Sequence, residues 1–304
     1  MPVITEELEF NSHGSTLRAG LIRPRRAVAT NGEGLPCVVM AHGLGGTRAA
    51  GLEPFAQRFA KAGLAVLVFD YRGFGLSTGE PRQVVNVRMQ LDDWAAAIRC
   101  ARGLPGIDPQ RIALWGSSFS GGLVIAAAVE DGGVAAVSSQ GAMMDGLAAL
   151  VNLVKQEGVI QTAKLTALAA ADALCARLGR ARVRRPVVGD PGEMAVLTTP
   201  DSKPGYLAIT PPDWVNSITL DWMLSLPLFR PNRMAERLPC PTLFCIAEHD
   251  VVVPPSAMED AARRAGAKAE VRRYPRGHFD IYVNEGFEAS ARDQTEFFTR
   301  HLRI

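Results

Sequence analysis

A serine hydroxyl becomes a useful nucleophile at neutral pH only with a base beside it and N–H donors placed for the developing oxyanion. The segment Leu114-Trp115-Gly116-Ser117-Ser118-Phe119-Ser120-Gly121-Gly122 has the residue types for the nucleophile. It follows an apolar run at 111–115 and leads into an apolar helical stretch at 123–129. A serine on a sharp strand-to-helix turn holds its hydroxyl clear of the backbone, next to the free N–H groups of a helix start. Small residues two before and two after relieve crowding at such a turn. Gly116 meets the first need, and Ser120 stands where the G-x-S-x-G pattern has glycine. Ser118 is the candidate nucleophile; the plainer alternative is a Gly/Ser-rich helix start without chemistry.

With five histidines, the base can be sought by elimination. His13 falls in a hairpin turn, His42 just after an early strand, His249 beside an acid and His301 at the chain's end. His278, in Arg276-Gly277-His278-Phe279-Asp280, follows the last strand. Loops after parallel strands gather on the edge where ligands bind, so His278 is the candidate base. An imidazole base needs an acid to fix its tautomer and stabilise its cation. Asp250, in Ala247-Glu248-His249-Asp250, is the candidate, with Glu248 as rival and Asp280 too near His278 in sequence. His42-Gly43-Leu44-Gly45-Gly46 lets the backbone approach a reacting carbonyl, and the N–H groups of Leu44 and Phe119 are the candidate oxyanion hole. That loop lacks both G-x-G-x-x-G and a Walker lysine, so it is not a nucleotide loop. Asp70-Tyr71-Arg72-Gly73-Phe74-Gly75 is expected to shape the pocket rim.

These groups need a scaffold, and the pattern of the chain supplies one. Alternation at 3–10 and 16–23 predicts an antiparallel hairpin. Continuously apolar runs at 37–41, 65–69, 111–115, 134–137 and 242–246, with a weaker one at 271–274, predict strands covered on both faces. Helical spacing at 52–62 and 87–100, a Pro254-Pro255 helix start and a closing helix at 287–302 separate or follow them. The fold class is α/β, a mostly parallel doubly wound sheet. The rhythm breaks between the strands at 134–137 and 242–246. Residues 1–140 and 237–304 are assigned to the core, and 141–236 to an inserted, mainly helical cap or lid. Two helices are expected there, one carrying Leu147, Leu150, Val151 and Val154 and one over 160–178. Met143, Met144, Trp214, Trp222 and Met223, with Leu228 and Phe229, are expected to include the lining of an apolar acyl pocket over Ser118.

Composition removes other classes. Of 304 residues 47% are hydrophobic and the net charge is +2, which excludes a disordered chain and a non-specific nucleic-acid binder. No continuous apolar run approaches the roughly 18 residues of a membrane span. The acidic N-terminal segment lacks a secretory pattern, so a cytoplasmic protein used whole, without a membrane partner, is expected. Cys37, Cys100, Cys175, Cys240 and Cys245 form no CxxC pair, which argues against a disulfide framework or structural zinc.

HG-x-GGT at 42–47, DYRGFG at 70–75, GSSFSGG at 116–122, D-x-x-VPP at 250–255 and GHFDIY at 277–282 together resemble the α/β-hydrolase superfamily, specifically capped serine hydrolases. The cap segments 190–194 and 199–206 are more loosely similar to bacterial relatives of fungal polyketide thiohydrolases and polyketide transferases. The resemblance implies no cofactor and no metal. It implies a serine hydrolase that cleaves an ester or thioester of an apolar acyl group through an acyl-enzyme. The alternatives are acyl transfer to an alcohol and a non-catalytic receptor or scaffold on the same fold. A serine at the elbow disfavours epoxide hydrolases and dehalogenases, which use aspartate there. If the substrate is a thioester, coenzyme A or an acyl carrier protein becomes a candidate partner. The cluster Arg177, Arg180, Arg182, Arg184 and Arg185 would suit its anionic groups, or is simply a solvated helix end. Homodimerisation is left open.

Overall fold

A computed structural model describes residues 2–25 and 34–304. The opening alternation forms a hairpin, β1 (Val3–Ser12) paired antiparallel with β2 (Ser15–Pro24). His13 and Gly14, both at positive φ, make the two-residue turn whose twist suits the strands. The continuous apolar runs become β3 (Leu35–Ala41), β4 (Ala65–Phe69), β5 (Ile107–Ser117), β6 (Ala136–Gln140), β7 (Thr242–Ala247) and β8 (Ala269–Tyr274). They form one sheet in the order β1-β2-β4-β3-β5-β6-β7-β8, parallel from β4 to β8. The order reverses beside β3, and the loops after β3 and β5 flank the crevice where such sheets bind ligands.

Helices α1 (Glu53–Lys61), α2 (Val87–Gly103) and α3 (Phe119–Asp131) connect the first strands. Helices α4 (Gly146–Arg177), α5 (Ser202–Ile209) and α6 (Pro231–Met234) lie between β6 and β7, and α7 (Pro255–Ala265) and α8 (Asn284–His301) complete the chain. The sheet divides two apolar cores. On one face Phe55 and Phe59 of α1 meet Trp115 and Phe298. Each such ring removed from water contributes about 1.5–3 kcal/mol. On the other face α2, α3 and α7 cover the sheet with Trp94, Ile98, Leu123 and Met258. All five cysteines are free.

One strand differs from expectation. The apolar run at 134–137 predicts its first half, but β6 continues through Ser138, Ser139 and Gln140, all fully buried. Their polar atoms find distant partners: Ser138 Oγ donates to Gln294 on α8, and Ser139 Oγ to the Gly121 carbonyl.

The segment between β6 and β7 is mainly helical, with a two-residue ladder, Arg184–Arg185 against Ile218–Thr219. The two expected helices are the halves of α4, broken at Gly158 (φ 79°, ψ 164°). By length and mean composition alone α4 could cross a membrane, although it holds no continuous apolar run. The same helix carries Asp172, which is fully buried and accepts from Arg182 Nε and Nη2 and from the N–H groups of Val183, Leu220 and Asp221. Arg182 also pairs with Asp221. A correction to the sequence reading follows: Arg182 is a nearly buried structural cation, not part of a free anion-binding cluster. Removing one member of a buried ion pair strands the other, at a cost of about 3–5 kcal/mol. Asp172→Ala should therefore lower the free energy of urea unfolding by about 3 kcal/mol, whereas a surface pair would give less than about 1 kcal/mol.

Candidate active site

Ser118 sits at the junction of β5 and α3 with φ 58° and ψ −125°, a conformation that ordinary residues avoid. Two glycines make the approach possible. A Cβ on Gly116 would collide with the Ser120 carbonyl, and one on Gly122 with the Met143 carbonyl. Ser120 replaces the pattern's glycine without exposure: its Oγ lies 3.0 Å from the Tyr71 hydroxyl, which accepts from Trp94 Nε1 at 2.8 Å. Ser117 points away, into the core, where it bonds the Gln140 carbonyl and Tyr282. Only Ser118 presents its hydroxyl to the histidine.

His278 Nε2 lies 3.1 Å from Ser118 Oγ, and its Nδ1 lies 2.6 Å from Asp250 Oδ2. The other carboxylate oxygen of Asp250 accepts from the N–H groups of Val252 and Val253, each at 2.8 Å. Asp250 is thus fixed by the turn that the D-x-x-VPP segment makes. Glu248 is exposed, and Asp280 accepts instead from the Gly277 N–H. Burial pulls the basicity of His278 down, but the charge and hydrogen bond of Asp250, with the charge of Asp201, outweigh it and hold the pKa above the ordinary 6.5. Asp201 stands at the start of α5 in the insertion. The other histidines lie elsewhere. His42 is buried, its pKa lowered by desolvation, with Nδ1 2.9 Å from the Gly43 carbonyl. His13 faces Asp92, and His301 faces Glu270.

The loop after β3 passes directly over the serine: a Cβ on Gly43 would lie 3.1 Å from Ser118 Cβ. Among the described residues, neither the Leu44 nor the Phe119 N–H enters a loop or turn hydrogen bond. Phe119 opens α3, where the helix offers its N–H no partner. The 70–75 segment does not border either cavity at Ser118, contrary to the expected rim. It braces the elbow from behind through Tyr71, while Arg72 pairs with the fully buried Asp93.

An apolar cavity opens from Ser118, with about 100 Å³ available to water centres. Met143, Trp222 and Met223 line it as expected. Met144 is buried outside the lining. Trp214 stacks on Tyr206 and donates to the Gly45 carbonyl, so it too stands apart. Sequence reasoning missed the face of α4 that forms one wall, Ala149, Asn152, Leu153 and Gln156. They share a helix face by their i, i+3, i+4, i+7 spacing, but with two of the four polar no apolar period marks it. Among the described residues no group of three or more His, Cys, Asp or Glu side chains is placed to hold a metal ion.

The family model described as X-Pro dipeptidyl-peptidase (S15 family) matches residues 13–187. The quorum-quenching protein AidA of Acinetobacter baumannii (strain MDR-ZJ06) is 40% identical over 306 residues, covering 100% of this chain and 97% of that protein. The thiohydrolase aneE of Aspergillus aculeatus is 44% identical over 96 residues, 32% of this chain and 30% of the relative. Among solved structures, the α/β hydrolase GrgF from Penicillium sp. sh18 superposes with a TM-score of 0.82 at 23% identity, covering 99% of this chain and 100% of GrgF. With more than half its length matched by the family model, the chain belongs to the S15 family, and its fold is that of the α/β hydrolase GrgF.

Proposed function

We propose that this hydrolase cleaves an ester or thioester of an apolar acyl group, with Ser118 as nucleophile, His278 as base and Asp250 as its orienting acid. The observation that carries the reading is the unbroken chain from Asp250 through His278 to Ser118, at 2.6 and 3.1 Å, at the mouth of an apolar cavity. Ser118 Oγ attacks the acyl carbon while His278 Nε2 takes its proton, and Asp250 stabilises the imidazolium. The carbonyl oxygen, now an oxyanion, is received by the N–H groups of Leu44 and Phe119. Collapse expels the leaving group, which takes the proton from His278 and leaves the acyl group on Ser118. Water then releases it by the same steps in reverse order. The acyl chain occupies the cavity under Trp222 and Met223, and the insertion acts as its cap. The relative AidA is named for quorum quenching, which adds quorum signals that carry an ester to the substrates worth testing.

Turnover of a series of methyl esters, followed by acid release, tests the assignment. A medium-chain ester should exceed the acetate in kcat/KM by about tenfold or more, since each methylene packed in an apolar pocket contributes. Faster cleavage of an X-Pro anilide than of any ester would overturn the ester reading in favour of peptidase chemistry. Ser118→Ala and His278→Ala should each lower kcat by about 10⁴-fold or more, and the double variant should lose little beyond either single one. Retained turnover in Ser118→Ala, with loss in Ser117→Ala, would move the nucleophile.

The pH profile follows from His278. Its raised pKa means that the imidazolium persists above pH 6.5, so kcat/KM should fall as pH drops through a midpoint above that value. Asp201→Asn removes a charge that favours the imidazolium. The acid limb should then move to lower pH, and an unmoved limb would show that Asp201 does not act on His278.

A further inference from the structure

Ser118 also borders a second, smaller space. The two share Leu44 and Ser118, but only the smaller one touches His278. It has about 20 Å³ available to water centres. About 10–15 Å³ on that measure holds one water molecule, so the recess has room for little more than one. Its far wall is Tyr206 and Ile209 of α5, with Phe279 beside them. That wall is pinned. The Tyr206 hydroxyl donates to the Leu44 carbonyl, its ring stacks on Trp214 at 4.7 Å, and Trp214 Nε1 donates to the Gly45 carbonyl at 2.8 Å. The helix is thereby fastened to the very loop that carries the Leu44 N–H.

Resting on the acyl-enzyme reading above, we infer that this recess is the acceptor and leaving-group subsite, and that its size restricts both to water and alcohols of one or two carbons. The base stands on this side, so the attacking molecule must enter here. Water placed in the recess gives a proton to His278 Nε2 as its oxygen bonds to the acyl carbon of acyl-Ser118. The tetrahedral oxyanion then collapses, the bond from the acyl carbon to Ser118 Oγ breaks, and His278 returns the proton to Oγ. The products are the free acid and the original enzyme. By microscopic reversibility the leaving alcohol departs through the same recess. Esters of small alcohols are favoured over thioesters on a long carrier arm, and hydrolysis over transfer to a bulky alcohol.

The experiment fixes the acyl group and varies the other side. Methyl, ethyl and n-butyl esters of one medium-chain acid are compared, and methanol or n-butanol is added to partition the acyl-enzyme between hydrolysis and alcoholysis. We expect kcat/KM to fall from methyl to butyl ester, and methanol to compete with water about tenfold better than butanol at equal concentration. Ile209→Ala, which enlarges the recess, should narrow that alcohol ratio severalfold. Equal partitioning by both alcohols in the unaltered enzyme would overturn the recess while leaving the acyl-enzyme intact. A fluorophosphonate that fails to label Ser118 would remove the proposed function, and the recess with it.

Discussion

The reach of the serine hydroxyl to His278, and the open N–H beside it, depend on one backbone conformation, the positive φ of Ser118. Such a residue costs about 1–3 kcal/mol and persists only where the surroundings over-determine it. Here they do. The Ser118 N–H donates to the Gln140 carbonyl, and its own carbonyl accepts from Gly121 and Met143. Strand β6 and the chain after it are thus hydrogen-bonded to the turn from both sides. Gly116, Gly121 and Gly122 are positions where this approach leaves no room for a Cβ. The conformation aims Oγ at His278 and leaves the Phe119 N–H at the open end of α3.

A buried polar network then fixes His278 relative to that turn. Tyr282, four residues beyond His278, bonds Ser117; Gln140 bonds Ser117; Gln294 of α8 bonds Gln140; and Trp115 and Ser138 both donate to Gln294. Each member is satisfied by another, so the network is rigid rather than a liability. It joins β5, which presents the serine, to the segment that presents the histidine. Asp250 is held independently, by backbone donors within its own turn. The serine–histidine and histidine–aspartate contacts therefore rest on separate supports.

The sheet was legible because strands covered on both faces must be continuously apolar, as at 37–41 and 65–69. Ser118, His278 and Asp250 were legible because few residues of the required types fall after parallel strands. The polar half of β6 was not, since its burial depends on Gln294, more than 150 residues away in sequence. The cavity was half legible. Met143 and Met144 are adjacent and equally apolar, and only packing decides that the first faces the cavity. The wall from α4 was hidden because two of its four members, Asn152 and Gln156, are polar, while apolar spacing pointed to Leu147, Leu150, Val151 and Val154. Arg182 looked like its basic neighbours; its distinction is Asp172, ten residues earlier on α4.

The insertion does more than line the apolar cavity beside Ser118. Asp201 begins α5 and contributes charge to His278, while Tyr206 and Ile209 of the same helix close the recess on the histidine's other side. One short helix therefore bears on both the base strength of His278 and the space beside it. The two effects are coupled by position. A displacement of α5 that widened the recess would break the Tyr206 bond to the Leu44 carbonyl, carry Asp201 away and weaken the base. On the proposed mechanism, selection for a larger acceptor could not act on that wall alone, because the same movement makes the proton transfer less favourable. Relief must come from the side chains of α5 rather than from its place in the fold, and Ile209, half-buried and without a polar contact to lose, is where the recess can change most cheaply.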